Sequence, residues 1–71
     1  MRVKINLDTM SSIQKFVDVT SRIEDEITLQ DGVGHCVSAK SLLGAIYSLE
    51  WETIYCYCEK DISGSILPWI I

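Results

Sequence analysis

The change of pattern that follows Val37 constrains the fold of this chain more than any other feature. The residues up to Ala39 end like a β-strand, and an apolar helical pattern starts with Leu42 and Leu43, directly after Ser41. Serine is favoured at helix N-caps because its hydroxyl accepts a hydrogen bond from a free backbone N–H. The stretch therefore predicts a strand that passes directly into a helix with Ser41 as its N-cap.

The first third of the chain predicts a strand followed by a helix. Apolar and polar residues alternate over residues 2–7, as in a half-buried strand. Ser11 and Gln14 fit the capping box S-x-x-Q, which predicts a helix that starts at Ser11 and ends near residues 23–25, with Asp8 as the competing cap. An apolar stripe with spacings of three and four marks its buried face. The stripe comprises Ile13, Phe16, Val17, Val19 and Ile23.

The rest of the chain alternates strands with short helices. Residues 26–30 predict the second strand and residues 35–39 the third, joined by a turn at residues 31–34 that contains two glycines. Residues 52–58 are mostly strand formers and predict the fourth strand. Asp61 is expected to cap a last helical turn. The helix between the third and fourth strands has an apolar stripe made of Leu42, Leu43, Ile46 and Leu49.

Together these elements predict an α+β fold in a single domain spanning residues 1–71, in the order β-α-β-β-α-β and then a short α. Helices with one apolar stripe and strands with one apolar face imply that the helices cover one face of a mostly antiparallel four-stranded sheet. A ferredoxin-like arrangement is the nearest alternative from the element order. Pro68 blocks a longer last helix, so Trp69, Ile70 and Ile71 are expected to pack back as a tail.

Composition excludes several classes of function. The net charge is −4 and no basic run occurs, which argues against nucleic acid as a partner because duplex binding needs clustered cations. No apolar run approaches the ~20 residues that span a bilayer, and no secretory signal pattern is present. Three cysteines are an odd number and do not form a disulfide framework. We therefore expect a cytoplasmic protein without a membrane partner.

Metal and small-molecule sites are not predicted. Cys56 and Cys58 share one face of a strand, but Cys36 belongs to another strand and no fourth ligand for tetrahedral zinc is evident. Buried cysteines often act as small apolar residues. Trp51 and Trp69 are predicted to be packing residues rather than a sugar-binding platform. We expect no cofactor and no small-molecule ligand.

Three segments carry a resemblance to a known family. They are Gln-Lys-Phe-Val at residues 14–17, Glu-Ile-Thr-Leu at 26–29 and Ser-Ala-Lys-Ser-Leu-Leu-Gly at 38–44. They resemble the first helix, the second strand and the Ala-Lys-Ser motif of the HPr-type phosphocarrier domains of the bacterial sugar phosphotransferase system. The element order also matches that family, whose fold is an open-faced β-sandwich. The resemblance covers about residues 1–60.

The chain departs from the HPr pattern at the phosphorylation site itself. The family has Leu-His-x-Arg-Pro before its first helix, and here Thr9 stands at the position of the histidine, Ser11 at that of the arginine and Ser12 at that of the proline. His35 follows a turn and cannot replace the missing imidazole; it is predicted to be a solvated strand-edge residue. Hydroxyls of this kind are expected to cap the helix, with anion binding as a lesser alternative. The resemblance therefore implies no catalytic residue.

Ser41 matches the serine that a dedicated HPr kinase phosphorylates in Gram-positive members of the family. Lys40, Leu42, Leu43 and Ile46 match the residues around the surface that family members present to partners. The resemblance thus implies a non-enzymatic, regulatory protein-interaction module, with an HPr kinase and a regulator as partners. Two alternatives stay open: a phosphocarrier with an atypical acceptor, and an accessory structural domain. Core burial is the alternative for the three apolar residues.

Overall fold

A computed structural model describes the whole chain, residues 1–71. The predicted order of strands and helices is confirmed, and short 3₁₀ turns follow the second and third helices. The elements are β1 (Arg2–Ile5), α1 (Met10–Ser21), β2 (Ile27–Gln30), β3 (Cys36–Ser38), α2 (Leu42–Tyr47), the 3₁₀ turn Ser48–Glu50, β4 (Ile54–Cys58), α3 (Ser63–Ile66) and the 3₁₀ turn Leu67–Trp69. None of the helices combines the length and the apolar character needed to cross a membrane.

The four strands form one sheet in the order β1-β4-β2-β3, and every neighbouring pair is antiparallel. The predicted four-stranded antiparallel sheet is therefore confirmed. β1 and β3 lie at opposite edges of the sheet, whereas a ferredoxin-like sheet places them side by side. The ferredoxin-like alternative is thus wrong for this chain.

Alternation along β4 explains why one face of the sheet is buried and the other is not. Ile54, Cys56 and Cys58 are buried, whereas Tyr55 and Tyr57 on the opposite face stay partly exposed. The buried strand residues join apolar residues of all three helices in one core cluster. Helices therefore cover one face of the sheet and leave the other open. The buried residues of the helices in that cluster are Ile13, Phe16, Ala45 and Ile66.

The N-cap of the first helix lies two residues earlier than the sequence predicts. Thr9 has an extended backbone, with φ −134° and ψ 157°, and its hydroxyl accepts a hydrogen bond from the N–H of Ser12 at 3.0 Å. Thr9 is therefore the N-cap, and the predicted caps Ser11 and Asp8 are wrong. The helix also ends earlier, because the N–H groups of Arg22 and Ile23 bond to carbonyls only three residues back.

Core burial, the alternative left open for the apolar residues of the second helix, holds only in part. Ala45 and Ser48 are fully buried, whereas Leu42, Leu43 and Leu49 are 41%, 80% and 39% exposed. The predicted stripe is therefore only partly a core face. The buried face is narrow because α2 lies against α1 and β3, where only small side chains fit.

The strand ends and the tail complete the fold. All four strands are shorter than predicted: β1 ends at Ile5 rather than at residue 7, and β4 starts at Ile54 rather than at residue 52. The tail packs back as expected: the Trp69 ring meets Phe16 edge-on at 5.3 Å, and Ile70 forms a β-bridge with Ile5. The N-cap of α3 is Ile62 rather than the predicted Asp61, although the Asp61 carboxylate accepts a hydrogen bond from the N–H of Ser63 at 2.9 Å.

Candidate interaction surface

Ser41 occupies the position that the sequence predicts, at the start of α2. Its backbone is extended, with φ −97° and ψ 120°, and its Oγ accepts a hydrogen bond from the N–H of Gly44 at 3.1 Å. Its own N–H donates to the carbonyl of Ser38 at 3.2 Å. The residue is half-buried. Its role as an N-cap is confirmed, and its hydroxyl lies at the border between the helix end and solvent.

Lys40 ties this helix start to the end of α1. Its Nζ donates a hydrogen bond to the carbonyl of Ile23, and its backbone N–H donates to the hydroxyl of Ser38 at 3.2 Å. The carbonyls at the end of a helix carry partial negative charge, which a cation stabilises. The ammonium of Lys40 therefore already has a partner in the free protein, whereas the sequence suggested a side chain open to a partner.

The apolar residues after Ser41 do not share one environment. Leu43 is 80% exposed and Leu42 41% exposed, whereas Ile46 is half-buried and packs against the core. Two of the three apolar residues predicted to contact a partner therefore lie on the surface. Adjacent exposed leucines are informative because apolar patches on small proteins often mark interaction sites.

The start of α1 borders an open groove of about 570 Å³, which is lined by three hydroxyl residues, by Asp8 and by the tail at residues 68–71. The Thr9 hydroxyl caps the helix, Ser11 is exposed, and the Ser12 hydroxyl accepts a hydrogen bond from Nε1 of Trp69 at 2.9 Å. Lys15 is the one cation that lines the groove. Trp69 of the tail also lines the groove, and its hydrogen bond holds the Ser12 hydroxyl in place.

No imidazole or guanidinium reaches that groove. Arg2 lies over the ring of Tyr55 at 3.9 Å, on the open face of the sheet. Arg22 pairs with Asp18 at 2.8 Å toward the other end of α1. The chain has no further arginine. The groove therefore lacks both the acceptor and the bidentate clamp that phosphoryl transfer through histidine requires.

Strand register places the two predicted sites at opposite ends of the sheet. Ile5, which precedes the loop to α1, pairs with Ile54 at the start of β4. Ala39, which precedes Ser41, bonds to Ile27 at the start of β2, and Ile27 pairs with Cys58 at the end of β4. Thr9 and Ser41 thus belong to separate regions, and the structure does not bring them together.

His35 is held beside the turn between β2 and β3. Its Nδ1 lies 2.5 Å from Oδ2 of Asp31, and Oδ1 of Asp31 accepts hydrogen bonds from the N–H groups of Val33 and His35 at 2.9 and 3.0 Å. Burial of the Asp31 carboxyl, whose side chain is 7% exposed, acts to raise its pKa. These hydrogen bonds and the nearby imidazole outweigh burial, so the pKa of Asp31 lies below its ordinary value.

An aromatic group at the end of α2 was not predicted. Tyr47 packs edge-on against Trp51 with ring centroids 6.0 Å apart, and Trp51 lies 6.2 Å from His35 at a tilt of 32°. The contact between Tyr47 and Trp51 could have been predicted from the sequence, since residues four apart lie on the same face of a helix. His35 could not be added from the sequence, because its place beside Trp51 depends on how β3 and the 3₁₀ turn meet.

The three cysteines do not form a site. Cys36 is exposed, whereas Cys56 and Cys58 are buried, and no group of histidine, cysteine and acidic residues in the chain could hold a metal ion. Burial and, secondarily, the nearby Cys58 raise the pKa of the Cys56 thiol to about 12. A thiol of this kind is unreactive, which agrees with packing as its role.

No family model, no curated protein and no solved structure matches this chain.

Proposed function

We propose that this chain is an HPr-like, non-catalytic interaction module of the cytoplasm, whose α2 surface contacts a partner protein and is switched by phosphorylation of Ser41. The observation that carries the proposal is the exposure of Leu42 and Leu43 directly beside the Ser41 hydroxyl. An apolar surface next to a modifiable hydroxyl is an arrangement in which added charge changes which partner binds.

The architecture supports the HPr-like part of the proposal. One face of a four-stranded antiparallel sheet is covered by helices in the element order of the family. The Ala-Lys-Ser segment at residues 39–41 leads from β3 into α2, where the resemblance requires it. The element order agrees with that of the HPr family, and we propose that the chain is similar to that family in function as well.

The switch follows from electrostatics at the start of α2. Transfer from ATP forms a bond between Ser41 Oγ and the γ-phosphorus, breaks the bond to the β-phosphate oxygen and releases the hydroxyl proton. The product adds a charge of about −1.5 to −2 beside the free N–H groups of the helix start. A phosphate also accepts hydrogen bonds more strongly than the Ile23 carbonyl, so it competes for the ammonium of Lys40. Phosphorylation thus changes the charge at the start of α2 and weakens the hydrogen bond between Lys40 and the Ile23 carbonyl after α1.

Phosphorylation by a bacterial HPr kinase tests the proposal directly. Incubation with the kinase and ATP should add one phosphoryl group to the intact protein, measured by mass spectrometry. Ser41→Ala should remove the gain, and Ser38→Ala should keep it, because Ser38 is the nearby last residue of β3 and does not cap the helix. A protein that gains no mass, or a Ser41→Ala variant that still gains it, would show that the proposed switch does not exist.

The groove at the start of α1 predicts the outcome of a test for the alternative function, a phosphocarrier with an atypical acceptor. An ester on Thr9 or Ser11 holds its phosphoryl group far more firmly than phosphohistidine, and no arginine is present to clamp it. We expect no acid-labile phosphate after incubation with phosphoenolpyruvate and enzyme I, with an active HPr protein as the positive control. Transfer at an ordinary rate would contradict the non-catalytic assignment and favour the carrier.

A further inference from the structure

The aromatic strip, which we define as Tyr47, Trp51 and His35, connects the end of α2 with the start of β3. Its successive rings lie 6.0 and 6.2 Å apart. Tyr47 is 52% exposed, the His35 side chain is 58% exposed and Trp51 is half-buried. Leu43 lies one helical turn before Tyr47 and is 80% exposed. Exposed apolar and aromatic groups thus continue from α2 to the edge of the sheet.

The charged residues beside Trp51 are acidic, whereas Arg2 lines a separate groove with His35 at the other end of the strip. No lysine or arginine occurs between Lys40 and Lys60, a span that contains α2, the 3₁₀ turn and β4. Glu50 and Glu52 flank Trp51 in the chain and are exposed. Glu52 and Trp51 also line a groove of about 300 Å³ beside the turn. The rim of the strip is therefore anionic at its Trp51 end.

A second copy of this chain is a poor occupant for such a surface. Two copies would bring together net charges of −4 each and the same acidic rim. Like charges that face each other across an interface oppose binding, whereas complementary charges steer a partner and fix its orientation. Charge complementarity points instead to a different, cationic protein.

Arginine fits both components of this surface. A guanidinium stacks on the faces of tryptophan and tyrosine rings, and it donates paired hydrogen bonds to carboxylates. We propose that the aromatic strip with Glu50 and Glu52 binds an arginine-bearing segment of a partner protein, anchored by apolar side chains against Leu43. The inference goes beyond the proposed switch, since it concerns the unphosphorylated protein.

Two short synthetic helical peptides test the partner chemistry. They share the same leucines and differ only in having arginines or glutamates at the polar positions. In ¹H–¹⁵N spectra of the unphosphorylated protein, the arginine peptide should shift the signals of Leu43, Tyr47 and the Trp51 indole in a saturable way. The glutamate peptide should bind at least about tenfold more weakly. Equal binding of both peptides, shifts elsewhere, or no saturation up to about 1 mM would overturn the proposal.

Two matched double variants distinguish the effect of the acidic residues beside the strip from the effect of the total charge on peptide binding. Glu50→Gln with Glu52→Gln and Glu24→Gln with Glu26→Gln each remove two negative charges from exposed positions. The first pair should weaken the arginine peptide about fivefold and the second less than about twofold. Equal losses would show that only net charge matters and would overturn the assigned site. Tyr47→Ala should also weaken binding while the spectrum stays dispersed, and an unchanged affinity would remove the aromatic part of the site.

Discussion

Replacing Phe16 by alanine is expected to remove most of the free energy of unfolding of this protein. Phe16 is fully buried on α1 and its ring meets Trp69 edge-on, so it joins the first helix to the tail. Truncation of a buried phenylalanine costs about 3–5 kcal/mol. A domain of this size lies near the lower end of the usual range of about 5–15 kcal/mol for the free energy of unfolding. Urea unfolding followed by circular dichroism measures the loss.

Met10→Ala is the control on the same helix. Met10 is 47% exposed at the first position of α1, and its truncation should change the free energy of unfolding by no more than about 0.5 kcal/mol. The two variants should therefore differ by several kcal/mol. Similar urea midpoints for both would mean that Phe16 does not hold the core together as the structure indicates.

Local patterns predicted the elements well because strands and helices bury residues with different periods. Ile54, Cys56 and Cys58 alternate with the two tyrosines of β4, and this alternation required that strand to have one buried face. The order of elements followed directly. The order of strands in the sheet did not, because it depends on long-range pairing that neighbouring residues do not encode.

Helix caps show where local signals are insufficient. Thr9, Ser11 and Ser12 are all residues that can cap a helix. The fold selects Thr9, while the Ser12 hydroxyl instead accepts a hydrogen bond from Trp69 across the molecule. Nothing in the first twelve residues reveals that contact, which comes from the far end of the chain.

The candidate interaction residues were predicted only in part, because some of their features depend on contacts that are distant in the sequence. Ser41 as a cap followed from sequence alone, because the change from strand to helix is local. The resemblance implied that Leu42 and Leu43 lie on the surface, but the apolar pattern alone left core burial open. Their exposure depends on Ala45 of α2 and Ser48 of the following 3₁₀ turn, which face the core. An apolar stripe predicts a buried face only where the neighbouring elements leave room for large side chains.

Gly44→Ala provides the sharpest test of how closely α2 and β3 pack. Helix propensity alone predicts that alanine stabilises this position by about 1 kcal/mol. A Cβ at Gly44 would lie 3.1 Å from the Cβ of Val37 and 3.2 Å from the carbonyl oxygen of Ser38. β3 is hydrogen-bonded to β2 and cannot retreat freely, and overpacking of this kind costs about 1–3 kcal/mol. We expect a net loss of about 1 kcal/mol in the free energy of unfolding.

Gly64→Ala is the matched substitution, because it makes the same chemical change in a helix with free space around it. Apart from its chain neighbours and the backbone of its own helix, nothing lies within 4 Å of a Cβ built at Gly64, so only the gain in helix propensity, up to about 1 kcal/mol, applies. The two variants should therefore shift the urea midpoint in opposite directions. If Gly44→Ala stabilised the protein as Gly64→Ala does, α2 would have to lie farther from β3 than the structure places it.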